Sequence, residues 1–358
     1  MFTPSFRITP ATARALMAIE ADRQAVLALP IDVMLLASLR ETARVAATHY
    51  STRIEGNRLT EPQVREVLAG ARFPGRERDE AEVRNYFRAL EWVEGRAQSG
   101  GRLTEGDVKR LHGLAFHGRS RGAAYRDGQT MIRDSGSGRI VYLPPEAGDV
   151  PGLMAGLAGW VEAQLTSAEL PAPIVAALAH YQLATIHPWF DGNGHTARLL
   201  ATLILQRASY GLKGIYCLDA YYARDLPAYY RALTVGPSHN YYEGRAAADL
   251  SGFVGYFCAG MAEAFAAVRA ATGAEARAAP DQSDALRKLD PRRRRLLELF
   301  GTQDLATAVE IADHLGLGRR TVVALCRDWV ADGFMEYADQ SRRNRAYRLG
   351  SEYVGLVR

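Results

Sequence analysis

The chain has only three cysteines in 358 residues, Cys217, Cys258 and Cys326, far apart and set in apolar surroundings. That spacing gives no disulfide framework and matches no zinc pattern, which predicts a reducing, cytoplasmic setting. No apolar run suggests a bilayer span, and no basic segment leads into an apolar core at the N-terminus. The sequence therefore predicts neither membrane association nor a secretion signal. Charge of one sign is not in large excess either, with a formal net charge of +4, 23% charged and 48% apolar residues. This is an ordinary globular composition, long enough for two or three domains with a substantial core. β-prone stretches are scarce. Alanine-rich patterns at helical period dominate, so the expected class is all-α, mainly helical.

What is there concentrates in His187-Pro188-Trp189-Phe190-Asp191-Gly192-Asn193-Gly194-His195-Thr196-Ala197-Arg198. Upstream, Pro173 to Ile186 reads as a helix, and Pro188 disfavours helical geometry at His187. Downstream, Thr196 to Ser209 reads as a second helix, apolar around most of its circumference and so buried. The loop empties onto the N-terminus of that helix, where free N–H groups and the dipole favour anions. Gly192 and Gly194 let the main chain approach a ligand and can form an anion-binding nest. Asn193 can donate to a phosphate oxygen, and Arg198 can add a bidentate charged contact. Asp191 would repel a bare phosphate, a conflict that a bridging Mg²⁺ resolves. His187 is the group suited to moving a proton near neutral pH. Taken singly, each residue is an ordinary turn or core element; the ordered combination carries the reading.

The stretch resembles the signature loop of the Fic (Fic/Doc) family, His-Pro-Phe-x-Asp/Glu-Gly-Asn-Gly-Arg-x-x-Arg. Trp189 stands where Phe is usual, and His195 stands where the first arginine is usual. The second departure implies altered nucleotide affinity. The resemblance implies transfer of AMP from ATP to a hydroxyl of a target protein, with pyrophosphate released. In that scheme His187 is the base, Asp191 holds Mg²⁺, Asn193 and the glycine amides hold phosphates, and Arg198 holds the γ-phosphate. His195, Thr196 and Ala197 complete the ATP-facing turn. Gly194 argues against the Doc-type branch, which has lysine there.

Ser51-Thr52-Arg53-Ile54-Glu55-Gly56-Asn57 closes a helical stretch from about Ile31 to Arg53, and Thr60 to Gln63 is a capping box. By spacing alone Glu55 is a solvated glutamate. By resemblance the stretch is the family's inhibitory Ser/Thr-x-x-x-Glu-Gly/Asn motif, with Ser51, Glu55 and Gly56 in the named positions. Glu55 would pair with Arg198 and occupy the place of the γ-phosphate. In some relatives the equivalent glutamate also supports removal of AMP.

Gln129–Arg133 and Arg139–Leu143 read as a hairpin about a Gly/Ser turn. It resembles the family's target-clamping flap, with Ile140 and Tyr142 on one face. Further on, Tyr230 and Asn240 match the region that lies near adenine in similar proteins. From Pro291 the pattern changes. Helices over Arg292–Phe300, about Thr307–Leu315 and Arg319–Asp332 precede a hairpin of Phe334–Tyr337 and Ala346–Leu349 around Arg342, Arg343, Asn344 and Arg345. This resembles a winged helix-turn-helix domain, with Arg319, Arg320 and Thr321 leading the recognition helix. Over residues 281–358 there are 14 Lys/Arg against 12 Asp/Glu, so DNA and a protein both stay open as partners. The expected organisation is an inhibitory helical region at 1–100, a catalytic domain at 101–265, a linker at 266–290 and the winged helix at 291–358. Two rivals stay open. One is a metal-dependent hydrolase built on His180, His187, Asp191 and His195. The other is a DNA-binding regulator with a worn nucleotide-sensing domain. The assembly state is open too, a homo-oligomer included.

Overall fold

The computed structural model describes residues 2–29, 31, 33–133, 138–278, 289–301, 303–339, 345–354 and 356–357. The chain divides into two compact units, Met1–Ala28 with Arg40–Ala270, and Leu29–Leu39 with Ala271–Arg358. Helices account for most of both, as expected.

The larger unit is built on α1 (Pro10–Ala28), most of α2 (Val33–Ile54), α3 (Glu61–Leu68), α4 (Glu77–Gln98), α5 (Glu105–His117), α6 (Val150–Ser167), α7 (Ala172–Ile186), α8 (Asn193–Arg207), α9 (Asp219–Arg224), α10 (Leu226–Leu233) and most of α11 (Ser251–Ala278). α7 and α8 pair at the centre, α4 and α5 pack on α8, and α6 packs on α7. Ile174, Leu178, Leu183 and Ile186 of α7 are fully buried on several sides of the helix. At about 1.5–3 kcal/mol per such side chain, burial and not intrinsic propensity holds α7 in place. The Thr60–Gln63 box forms as read, Thr60 N donating to Gln63 Oε1 at 2.9 Å.

Three expectations need correction. α8 begins at Asn193 and not Thr196, because Gly192 takes a left-handed turn at φ 75° and its carbonyl accepts from Thr196 N at 3.1 Å. That puts Gly194 and His195 inside the first turn. The hairpin is shorter than read, with β1 at Ile132–Arg133 and β2 at Ile140–Tyr142, its turn at 134–137 lying outside the described residues. A bulge pairs Ile132 with Tyr142 but Arg133 with Ile140, so Ile140 and Tyr142 no longer share a face. Finally, Ser251–Gly273 of α11 is long and apolar enough by composition to cross a bilayer, at a mean hydropathy of 1.3. Its alanines, phenylalanines and valines carry that average. Phe253, Val254, Phe257, Cys258, Met261 and Phe265 on it are buried in the unit's core.

The smaller unit contains α12 (Pro291–Phe300), β3 (Ala306–Thr307), α13 (Ala308–Leu315), α14 (Arg319–Ala331), β4 (Met335–Asp339), β5 (Ala346–Leu349) and α15 (Ser351–Val354). Asp290 caps α12, accepting from Arg292 N at 2.8 Å. Thr307 and Glu310 form the expected capping box of α13, which closes at Gly316 with φ 67°. The strands make one antiparallel sheet in the order β3-β5-β4, so the expected hairpin acquires a third, two-residue strand. Its core gathers Leu296, Ile311, Val322, Cys326, Trp329, Phe334 and Tyr347. Arg342, Arg343 and Asn344 lie outside the described residues.

Candidate active site

α7 ends at His187, which sits in the left-handed region at φ 51°. Arg126 holds it there: its Nε donates to His187 O at 2.9 Å, and its main-chain N donates to Pro188 O at 2.9 Å. Burial pushes the His187 imidazole down to about 4. It is therefore neutral at pH 7. His187 Nδ1 faces Ala184 O at 3.4 Å, which assigns the proton to Nδ1 and leaves the Nε2 lone pair free to accept one.

The loop then closes on itself. Asn193 Oδ1 accepts from Trp189 N at 3.0 Å, and Asn193 Nδ2 donates to Trp189 O at 2.8 Å. This corrects the expectation for Asn193, whose buried amide is committed to the loop and not aimed outward. Trp189 in turn stacks on His112 at 4.0 Å, and His112 Nε2 meets Asp191 O at 3.0 Å. Asp191 itself is exposed, one oxygen accepting from Gly192 N at 2.7 Å. At the start of α8 the N–H groups of Asn193, Gly194 and His195 have no acceptor within the helix.

Arg198 is buried, and its partners across the fold come from α2, the turn that follows it, and α9. Nε donates to Ser51 Oγ at 2.7 Å and lies 3.3 Å from Asp219 Oδ1; Nη2 donates to Ser51 O at 3.1 Å and to Glu55 Oε1 at 2.9 Å. Glu55 lies against the first turn of α8, since a Cβ on Gly194 would fall 2.1 Å from its Oε1. Burial pushes the Glu55 carboxyl up, but the Arg198 guanidinium beside it outweighs this and holds it below the ordinary value. Gly56 follows at φ 96° and ends the helical run. Ser51 and Glu55 thus both meet Arg198.

His195 is buried and bridges two helices, Nε2 lying 2.8 Å from Glu82 Oε1 and Nδ1 lying 3.1 Å from Arg198 Nη2. Arginine can only donate, so Nδ1 accepts and the ring proton sits on Nε2, facing Glu82. Thr196 and Ala197 are buried, Thr196 Oγ1 donating to Gly192 O at 2.9 Å. Beside Glu55, Asp191, Gly192 and His195 opens a cleft of about 440 Å³, whose far wall includes Arg58 and residues 75–79.

The remaining candidates divide. Tyr230 is half-exposed, its hydroxyl 3.4 Å from Ile54 O at the end of α2. Asn240 uses its side chain to accept from Tyr242 N at 3.0 Å, within its own turn. It lies opposite Leu143 at the hairpin's end in a parallel bridge made by its neighbours, Leu143 N donating to His239 O at 2.7 Å and Tyr241 N to Leu143 O at 3.0 Å. Ile140 is exposed, as a target contact must be. Tyr142 is not: it is 6% exposed and donates to Thr185 O at 2.7 Å, so it anchors the hairpin to α7. His180 belongs to an aromatic core, Nε2 2.9 Å from the Tyr229 hydroxyl, with burial holding it at about 3. Among the described residues no three His, Cys, Asp or Glu side chains converge as metal ligands, which leaves the hydrolase reading without its cage. Sequence reasoning missed Glu82, Asp219, Arg126 and His112. All four reach the site across the fold, and no local spacing announces them.

The family description "Fic/DOC family" matches residues 102–205. The chain is 30% identical over 201 residues to "Protein adenylyltransferase Fic" of Drosophila willistoni, covering 55% of this chain and 39% of that protein. It therefore spans about two fifths of the length of such curated relatives. A Fic family protein from Desulfovibrio desulfuricans superposes with a TM-score of 0.62 at 25% identity, over 98% of this chain and 99% of that one. Fic-1 from C. elegans shares the fold at a TM-score of 0.57 and 24% identity, over 74% of this chain and 73% of that one. Residues 102–205 are thus similar to the Fic/DOC family, and the fold is that of solved Fic proteins.

Proposed function

We propose that the chain is a protein adenylyltransferase, moving AMP from ATP to a hydroxyl of a target protein and held in check by Glu55. The observation that supports this best is the neutral His187 placed beside a helix start whose buried cation, Arg198, already holds a carboxylate. A carboxylate on Arg198 shows the site accepts an anion there, and a terminal phosphate is the larger anion of the same chemistry.

In the reaction the acceptor oxygen forms a bond to the α-phosphorus as the bond to the bridging β-oxygen breaks. The acceptor's proton passes to His187 Nε2, and pyrophosphate leaves. The N–H groups of Asn193, Gly194 and His195, with Arg198, balance charge along the phosphates, which is most of what such a transfer requires. Asp191 has an exposed carboxylate, and among the described residues no three His, Cys, Asp or Glu side chains converge; a single carboxylate suits Mg²⁺ held chiefly by phosphate oxygens and water. Bound there, Mg²⁺ would neutralise phosphate charge; the protein's share is the single carboxylate. The exposed Ile140 offers an edge contact to the target segment.

Incubation with α-labelled ATP and Mg²⁺ tests this. Label should appear on the Glu55→Gly chain or on a lysate protein and vanish with His187→Ala. No label under any condition refutes the proposal.

The helices and three-stranded sheet of the smaller unit support a winged-helix reading. α14 exposes Arg319, Arg320, Thr321 and Arg327, a surface suited to a DNA groove. Salt-dependent binding of duplex DNA, weakened by Arg319→Ala, is the expected outcome.

A further inference from the structure

His195 occupies a position in the first turn of α8 that faces both the cleft and Glu82. Both ring nitrogens are in use: Nε2–H donates to Glu82, and Nδ1 accepts from Arg198 Nη2 at 3.1 Å. That same Nη2 also holds Glu55 at 2.9 Å. An incoming phosphate that displaces Glu55 therefore competes for the donor on which Nδ1 depends. Nδ1 then keeps only the Ser51 hydroxyl, at a long 3.5 Å, and its lone pair faces an anion rich in acceptor oxygens, which is repulsive. One added proton reverses the sign of that contact.

We propose that His195 and Glu82 form a proton-dependent phosphate-binding unit: nucleotide entry beside Arg198 draws one proton from solvent onto His195 Nδ1. The imidazolium then donates to a phosphate oxygen through Nδ1 and to Glu82 through Nε2. The inference rests on the adenylyltransferase reading above and adds to it.

The groups around His195 favour this. Glu82 and the Tyr86 ring face it from α4, Ser51 and Glu55 from α2, and Asp219 from α9. Arg198, on its own helix, lies 3.1 Å away, and Arg58, Arg76 and Arg78 line the same cleft; a bound triphosphate offsets these cations. His112 of α5 is kept uncharged near pH 7, burial holding it at about 4. With Glu55 displaced, carboxylates from α4 and α9 remain and a triphosphate has arrived, so the balance turns toward the charged ring. A permanently charged arginine at this position would bind phosphate without taking up a proton.

The test uses the full-length Glu55→Gly chain, a non-hydrolysable ATP analogue and Mg²⁺, by titration calorimetry near pH 7.5 in buffers of different ionisation enthalpy. We expect uptake of roughly one proton per nucleotide, with affinity falling up to about tenfold per pH unit above neutrality. Adding His195→Arg should keep binding and abolish the uptake. Adding His195→Gln should abolish uptake and weaken binding at every pH. Binding without uptake in Glu55→Gly, or unchanged uptake in the Arg variant, overturns the proposal and leaves the adenylyltransferase reading standing. No binding at any pH overturns both.

Discussion

Replacing Glu55 by glycine isolates one contact. The Glu55 carboxylate is about a third exposed, whereas the Arg198 side chain is 2% exposed, so the pair lies between a surface ion pair and a buried one. Exposed pairs contribute about 0–1 kcal/mol and buried charge-assisted hydrogen bonds about 1.5–3 kcal/mol. Arg198 keeps Ser51 and Asp219 after the change, which limits the loss to the Glu55 contact itself. An intermediate figure of about 2 kcal/mol corresponds to roughly thirtyfold more nucleotide-competent protein. The Gly194 site adds to this, because Glu55 Oε1 fills the volume over the first turn of α8 and excludes a phosphate sterically. The assay is the initial rate of AMP transfer from α-labelled ATP at subsaturating nucleotide, wild type against Glu55→Gly, with Glu55→Gly/His187→Ala as the blank. A rise of about thirtyfold or more is expected. Equal rates in the first two proteins would refute the claim that this pair restrains the enzyme.

Other outcomes follow from the same geometry. Gly194→Ala should displace Glu55 and destabilise the wild-type fold by roughly 1–3 kcal/mol, but have little effect in the Glu55→Gly background; thermal melts of the four proteins check this cycle. Acid should weaken the fold before carboxylates titrate. His112 and His187 sit at about 4 and His180 at about 3, so the unfolded chain takes up protons near 6.5 while the folded chain does not. That stability is complete above about pH 6.5 and is lost as pH falls toward 4, at up to about 1.4 kcal/mol per unit for each histidine. Urea midpoints that do not move between pH 7 and 5 would contradict it. Arg126→Ala should lower transfer at saturating ATP by tenfold or more while sparing nucleotide affinity, because Arg126 orients His187 and does not reach the cleft wall. Tyr142→Phe should cost about 1 kcal/mol of stability through the lost bond to Thr185 O, visible in a denaturant titration.

The local chemistry was largely legible in the sequence. Pro188 and the apolar run after Thr196 marked the two helices, whereas the pairing of Glu55 with Arg198 came from the family resemblance and not from spacing. Periodicity failed where one residue changes the geometry. A left-handed Gly192 starts α8 three residues early, and a single bulge turns Tyr142 inward, so strict alternation gave the wrong face. Asn193 misled for another reason: its amide can serve a ligand or its own loop, and only the closed turn at Trp189 decides between them. Glu82 and Asp219 were out of reach altogether. They stand 113 and 21 residues from the side chains they meet, His195 and Arg198, and helix packing alone joins them.

Ser51 and Glu55 grip the same guanidinium from different footing. Ser51 lies inside α2, in the body of the helix, while Glu55 follows its last residue, Ile54. Terminal turns open at far lower free energy than helix interiors. If Glu55 is the restraint proposed above, its release requires loosening only a few residues at the tip of one rod, with Ser51 keeping Arg198 aimed.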